Sequence, residues 1–394
     1  KVGNTLYKGD FTFNYTSLGL EIFNDIAFNK LITAILSSEI QGRARLSDPK
    51  YEEALKSQAI VIRTKILDHI IKEDKMVYKP SEFKNFRGFN FYKSYAENAV
   101  EKTNGLVVTY DNEIINSFYH KNSGGKTANA LNILEKDIPY LKAVSDKRAI
   151  DDPLFLPSWS TNYSDEKLLN LFSKYFQKDI NGIRDIIIEK ETSTNRITEI
   201  KINTDYGNYQ LKSKEIRDFF QINSLLFELN KEYSEGYLES VRFSGIGIGS
   251  GLGLSQDGAQ IMAREGKNHK EIINYYYQNV SLKDLNFINY SRQLVDASIT
   301  RGLKYKELRQ LNWSGPRVIT ILEYEKGNKS VAFDNILASS KISGLTDLAE
   351  VVQESKALAA VNGGFYQSNG RPLGLFINNG EIVSESIYGR ASLA

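Results

Sequence analysis

The chain is 394 residues long, 41% hydrophobic and 25% charged, which suits an ordinary soluble globular protein of two or three domains. Lys and Arg number 50 against 48 Asp and Glu, a formal charge of +2 that argues against a nucleic-acid or anionic-membrane partner. With no cysteine, disulfides and thiolate metal sites are excluded, and no apolar run reaches the length of a transmembrane helix.

Residues 5–24 alternate apolar and polar over two short runs and read as strands with a turn at Gly9-Asp10. Residues 26–38 read as a short buried helix ending near Glu39. Residues 48–71 read as one long helix, with Asp48 as N-cap and Pro49 in the first turn. Ala54, Leu55, Ala59, Ile62, Ile66 and Ile70 give it a core face. Glu53, Ser57, Ile60 and Thr64 make a second stripe, with Lys56 and Arg63 beside it. That stripe is either a cleft wall or a solvated face with a Glu–Lys pair. Residues 77–103 read as irregular structure around a helical turn near 95–101.

Residues 105–119 read as a hairpin turning at Asp111-Asn112. Its second strand runs into YHKNSGGKT, residues 119–127. Two glycines there let backbone N–H groups approach a ligand, although a plain Ser-Gly-Gly turn has the same composition. Residues 164–176 are a helix capped by Ser164, 183–204 are two strands around a Ser-Thr-Asn turn, and 213–228 hold a short helix and a strand. In residues 241–279 a strand leads into glycines at 245, 247, 249, 251 and 253, then a helix opened by Ser255-Gln256 and ended by Gly266, then a second helix. The alternating glycines mimic a dinucleotide fingerprint, but no βαβ unit surrounds them. Past residue 285 the composition changes. Residues 297–312 read as a helix leading out of a linker, 313–325 as a strand, 343–356 as a helix and the remainder as strands around glycine turns. No signal segment is visible and the first residue is Lys1, which we read as a processed or trimmed start.

Three stretches together resemble the SpoIID/LytB family of bacterial cell-wall proteins. EALKSQAIVIRT (53–64), YHKNSGGKT (119–127) and GSGLGLSQDGA (249–259) match that family's EALKAQA-x-AART, YHS-x-SGG-x-T and GHGVGMSQ-x-GA segments in order. The similarity covers roughly residues 5–285. It implies an α+β fold: a mixed helix and antiparallel-sheet domain with a cleft over residues 1–290. It also implies a peptidoglycan lytic transglycosylase, which cuts the MurNAc-β-1,4-GlcNAc bond and leaves 1,6-anhydro-MurNAc ends. One carboxyl group can serve as acid and then base in that reaction. The resemblance places it at Glu53, with Glu39 as a possible second carboxylate. It implies glycan contacts from Arg63, Thr64, Tyr119, His120, Ser123, Gly124, Gly125, Thr127, Ser255 and Gln256. Departures are Ser250 for the family's His, Ile62 for a small residue and Gln41 for a Pro. Some relatives bind a metal through His and Cys; with no Cys and only His69, His120 and His269, no such metal and no cofactor is expected.

Residues 298–394 resemble the N-terminal part of a second family, the phosphodiester glycosidases, through GPRVITILEY and AVNGGFYQSNGRPLGLFINNGEIV. This implies a partial α/β domain with Asn362 and Gly363 near a sugar-phosphate site. The implied partners are peptidoglycan glycan strands and, from the family's amidase-enhancer members, a cell-wall amidase. The implied location is extracytoplasmic, which the lack of Cys fits. Two alternatives stay open: a glycan-binding module without catalysis, and a phosphodiester glycosidase whose first region only localises it. At Glu53 the physics conflicts, because the helix N-terminus favours the carboxylate whereas an acid catalyst needs a raised pKa.

Overall fold

The computed structural model describes all residues except 18, 74–77, 80–81, 84, 153–154, 156, 335, 337–344, 362–365, 367, 370–375, 379–380 and 385–394. Its contacts divide the chain into two units, Lys1–Tyr290 with Leu311–Arg317, and Ser291–Gln310 with Val318–Ala394.

The first unit opens on a hairpin of β1 (Asp10–Thr16) and β2 (Gly19–Asp25). The turn between them falls after Thr16 and not at Gly9-Asp10, because the two runs pair Asp10 with Asp25 and Thr16 with Gly19. Helix α1 (Phe28–Glu39) follows, buried along Leu31, Ile32, Ile35 and Leu36 at helical spacing. Asp48 accepts the Lys50 N–H and Pro49 starts a 3-10 turn, which runs into α2 (Glu52–Glu73). Then comes α3 (Ser94–Lys102). Leu55, Ala59, Ile62, Ile66 and Ile70 of α2 pack with α1 and α3 in one core cluster. Its other stripe is covered too: Ser57, Ile60, Arg63 and Thr64 are all buried. The stripe is therefore neither a solvated face nor a cleft wall beyond its first turn.

After α3 come β3 (Leu106–Tyr110), β4 (Glu113–Ile114) and β5 (Tyr119–His120). Asp111 and Asn112 turn with φ of 49° and 68°, the left-handed pair that a tight hairpin needs. The expected second strand is interrupted after Ile114, where Ser117 donates to the Val61 carbonyl of α2. Short helices α4 (Ala130–Leu134) and α5 (Arg148–Asp151) lead to β6 (Trp159–Ser164). Helix α6 (Asp165–Phe176), capped by Ser164, precedes β7 (Ile183–Glu191), β8 (Ile197–Thr204), β9 (Gly207–Lys212) and α7 (Ser213–Phe220). Strands β10 (Phe227–Ser234) and β11 (Tyr237–Gly245) follow. Sheets β7-β8-β9 and β10-β11-β6 share one core with α6 and α7, rich in Phe and Ile.

The chain then returns with β12 (Leu254–Ser255), α8 (Gln256–Arg264), α9 (His269–Tyr276) and β13 (Ser281–Asp284). β12 pairs parallel with β5, and β13 pairs antiparallel with β3. Helices α8 and α9 pack against α2, so residues far apart in sequence cover its second face.

Past residue 290 come β14 (Ser291–Thr300), β15 (Leu303–Asn312) and β16 (Gly315–Tyr324) in one sheet, of which Leu311–Arg317 group with the first unit. The helix expected over 297–312 is two antiparallel strands. Gly302, at φ +84°, turns the chain, and Leu303, Arg309 and Leu311 are buried on one alternating face. Helix α10 (Leu348–Ser355), capped by Asp347, and the pair β17 (Phe376–Asn378) and β18 (Glu381–Ser384) complete the second unit. The fold class is α+β, with antiparallel sheets predominating.

Candidate active site

Glu53 sits in the first turn of α2 and is held on both oxygens. One accepts from Lys56 Nζ at 2.7 Å. The other accepts from the backbone N–H and the Nδ1 of His269, both at 2.7 Å, at the start of α9. Partial burial works to raise its carboxyl, but the hydrogen bonds from Lys56 and His269 outweigh burial and bring it down to about 2. The conflict at this position thus resolves toward the ionised form, in a clamp between two helices.

Glu39 ends α1 and has different company. One oxygen accepts from the Tyr119 hydroxyl at 2.8 Å and from Asn85 Nδ2 at 2.6 Å. The other accepts from Gln256 Nε2 at 3.3 Å. Arg43 donates to Gln256 Oε1 at 3.2 Å and stands 3.7 Å from Asp257. Burial lowers the Arg43 pKa against the pull of Asp257, and burial, with Glu39 beside it, raises the Tyr119 hydroxyl well above its usual value. Glu39 is half-buried, as is Tyr119, while Gln256 is buried. A small recess beside them is lined by Arg43, Leu55, Gln58, Gln256 and Gln260. Both polar atoms of the Gln58 amide are buried there without a partner among the described residues.

The structure therefore brings Tyr119 and Gln256 to Glu39 and places the other expected contacts elsewhere. His120 alternates away from Tyr119 along β5, and its buried ring bonds the Leu252 carbonyl through Nδ1 at 2.9 Å. Burial lowers its pKa to about 3. Ser123 donates to Asp146 at 2.7 Å, and Ser255 both caps α8 and bonds Asp146. Tyr276 donates to the same carboxylate at 2.9 Å. Asp146 is thus a buried knot between the two loops, with a carboxyl raised by burial. Thr127 pairs with the Val144 backbone. Gly124 and Gly125 turn with φ of 70° and 101°, and their N–H groups already bond Asn122 and Ser123. Arg196 clamps the loop from behind, donating to the Ser123 and Lys126 carbonyls at 2.7 and 2.8 Å.

Arg63 is fully buried and donates to the Leu106 and Val100 carbonyls, with burial lowering its pKa to about 10. Thr64 donates to Ile60 O and accepts from Val108 N. Both tie α2 to β3 and α3. Asn362 and Gly363 lie outside the described residues. Among the described residues, no three His, Cys, Asp or Glu side chains gather as metal ligands. Sequence reasoning missed Arg43, Asn85, Asp146 and Asp257. Asp257 stands inside a quoted motif, but Asn85 and Asp146 belong to stretches without periodicity or motif.

Two stretches of the chain match known families. The model of the family described as stage II sporulation protein, SpoIID, matches residues 16–110, which include Glu39 and Glu53. Residues 16–110 are thus similar to the SpoIID family. Residues 151–253, with both β-sheets of the Phe-rich core, match a domain of unknown function, DUF8618. Stage II sporulation protein D of Bacillus subtilis is 26% identical over 67% of this chain and 77% of its own length. Its counterpart from Bacillus amyloliquefaciens is 28% identical over 59% of the chain and 69% of its length. An amidase enhancer of Bacillus subtilis is 25% identical over 58% of this chain, which spans only 38% of that relative. Among the described residues no helix is long and apolar enough to cross a membrane.

Proposed function

We propose that this chain belongs to the SpoIID family and is a peptidoglycan lytic transglycosylase acting outside the cytoplasm, with Glu39 as its acid and base. The carrying observation is the convergence on Glu39 of donors from remote parts of the chain, Asn85, Tyr119 and Gln256. Two of these belong to the quoted family motifs. Glu53, which sequence similarity puts first, is paired with the Lys56 ammonium as well as held by His269, whereas the donors at Glu39 are neutral amides and a hydroxyl. A carboxyl near 2 does not hold a proton to give at neutral pH.

In this reading the Glu39 carboxyl protonates the glycosidic oxygen as the bond to C1 of MurNAc breaks. The surrounding donors then stabilise the carboxylate left behind. That carboxylate takes the proton from the C6 hydroxyl as its oxygen closes on C1, giving the 1,6-anhydro ring without water. Tyr119 keeps its proton throughout, which suits a donor that orients the carboxylate.

The test is mass spectrometry of digested glycan strands with two variants. Glu39→Gln should lower turnover by about 10²–10⁴-fold with binding retained, since one residue serves both steps. Glu53→Gln should retain most turnover. The reverse pattern returns the chemistry to Glu53. The amidase-enhancer relative favours a second reading, a glycan-binding module that assists a cell-wall amidase. Binding with no product from the unmutated chain selects it.

A further inference from the structure

A groove of about 1190 Å³ opens between β7 and β10, each the last strand of its sheet. Trp159 lies in its wall, laid across Gly245: a Cβ at that glycine would fall 2.4 Å from the indole. The indole N–H is buried and has no partner among the described residues. Ile187 and Ile188 border the groove at 37% and 39% exposure and give it apolar surface. Ser193, Asn195 and Ser244 add hydroxyls and an amide. Lys126 and Lys231 face Asp185, Glu191 and Glu228, so the charges nearly cancel. Lys231 is also tied to Asp185 and to the Ile186 carbonyl, at 2.7 and 3.1 Å.

This lining selects a ligand class. A polyanion needs cations in excess, which the groove lacks. An elongated neutral ligand with apolar faces and many hydroxyls fits apolar walls, an aromatic side chain and scattered polar groups. The groove also reaches Gly124. That glycine is five residues beyond Tyr119, at most about 18 Å of extended chain from the backbone of the residue whose hydroxyl reaches Glu39. A polymeric substrate must be held beyond the bond that is cut. We propose that this groove binds N-acetylhexosamine units of the glycan strand remote from the scissile bond, with Trp159 as its aromatic contact. The inference rests on the glycan reading above and adds a second site to it.

The chain has 2 tryptophans, and Trp313 is 54% exposed in a turn of its own. Trp313→Phe therefore leaves Trp159 as the sole indole reporter. Titration with N-acetylglucosamine oligomers of increasing length should shift Trp159 emission saturably, with affinity rising roughly tenfold from the shortest to the longest. Ile187→Arg, at an exposed strand position, should weaken the long oligomers about tenfold and leave the far-UV circular dichroism unchanged. No Trp159 response to any oligomer overturns the proposal, and so does a response that Ile187→Arg does not alter. A response confined to an extended Val/Thr-rich peptide also overturns it and assigns the groove to strand addition. The reaction is judged separately: products without 1,6-anhydro ends would sink the transglycosylase and leave this binding result standing.

Discussion

Glu39 and Glu53 are both glutamates at helix ends of the same core, yet their donors differ, and the proposed reading gives them opposite duties. Glu53 accepts from a cation and from the start of another helix, so it is worth most to the fold when ionised. Its pKa is depressed in the folded state, near 2 against about 4.3 in an unfolded chain. Its stabilisation is therefore present above the unfolded value and is lost as pH falls from about 5 toward 2. Discounted for its partial exposure, this is worth about 1–2 kcal/mol. Urea unfolding at pH 7 should show Glu53→Gln less stable by that amount, with the gap closing in acid. A gap that is independent of pH would mean the loss is packing. Arg63 makes the same point from the interior. It satisfies two backbone carbonyls and touches no cleft, so Arg63→Met should cost about 2–4 kcal/mol of stability. Thermal melting checks this; unchanged melting with weakened glycan binding would restore Arg63 to the substrate.

At the scale of elements, what the sequence made legible is whatever depends on near neighbours. Ser164 starts α6, Asp111-Asn112 turns a hairpin, and Ser255 opens α8, each through a cap or turn set within three residues. The reading failed where a distant partner decides. The polar stripe of α2 could not be told from a solvated face, because His269, which receives Glu53, stands 216 positions on. Residues 115–118 have strand composition, but Ser117 bonds α2 instead of a ladder. The 297–312 segment reads as a helix in sequence, but Gly302 turns the chain there and its two sides pair as strands. The site was half legible for the same reason. Its motifs were visible, but a motif does not say which of its residues face a ligand and which tie the loop. Tyr119 and His120 are consecutive on β5 and point to opposite sides, one to Glu39 and one to the interior. Ser123 and Ser255 look like ligand hydroxyls in sequence and are spent on Asp146, a residue with no signal of its own.

For the whole molecule, the boundary between units is the consequence that can be tested. The family resemblance ends the first domain at residue 290, yet residues 311–317 group with the first unit. Leu311 is 7% exposed and shares a cluster with Leu67, Val107 and Leu285, all in that unit. The Trp313 N–H also donates to Asn286 at 3.3 Å. A chain ending at residue 290 lacks this plug over α2 and β3. Burying one such leucine is worth about 1.5–3 kcal/mol, so that chain should unfold at lower urea than one ending at residue 317, by this difference. The longer fragment contains every group placed around Glu39 and the whole groove at Trp159, and it should match the full chain in releasing 1,6-anhydro ends. Equal stability of the two fragments would remove Leu311 from the first unit's core. A stable but inactive 317-residue fragment would assign part of the catalytic function to the second unit, and the transglycosylase site would then have to be sought beyond Glu39 alone.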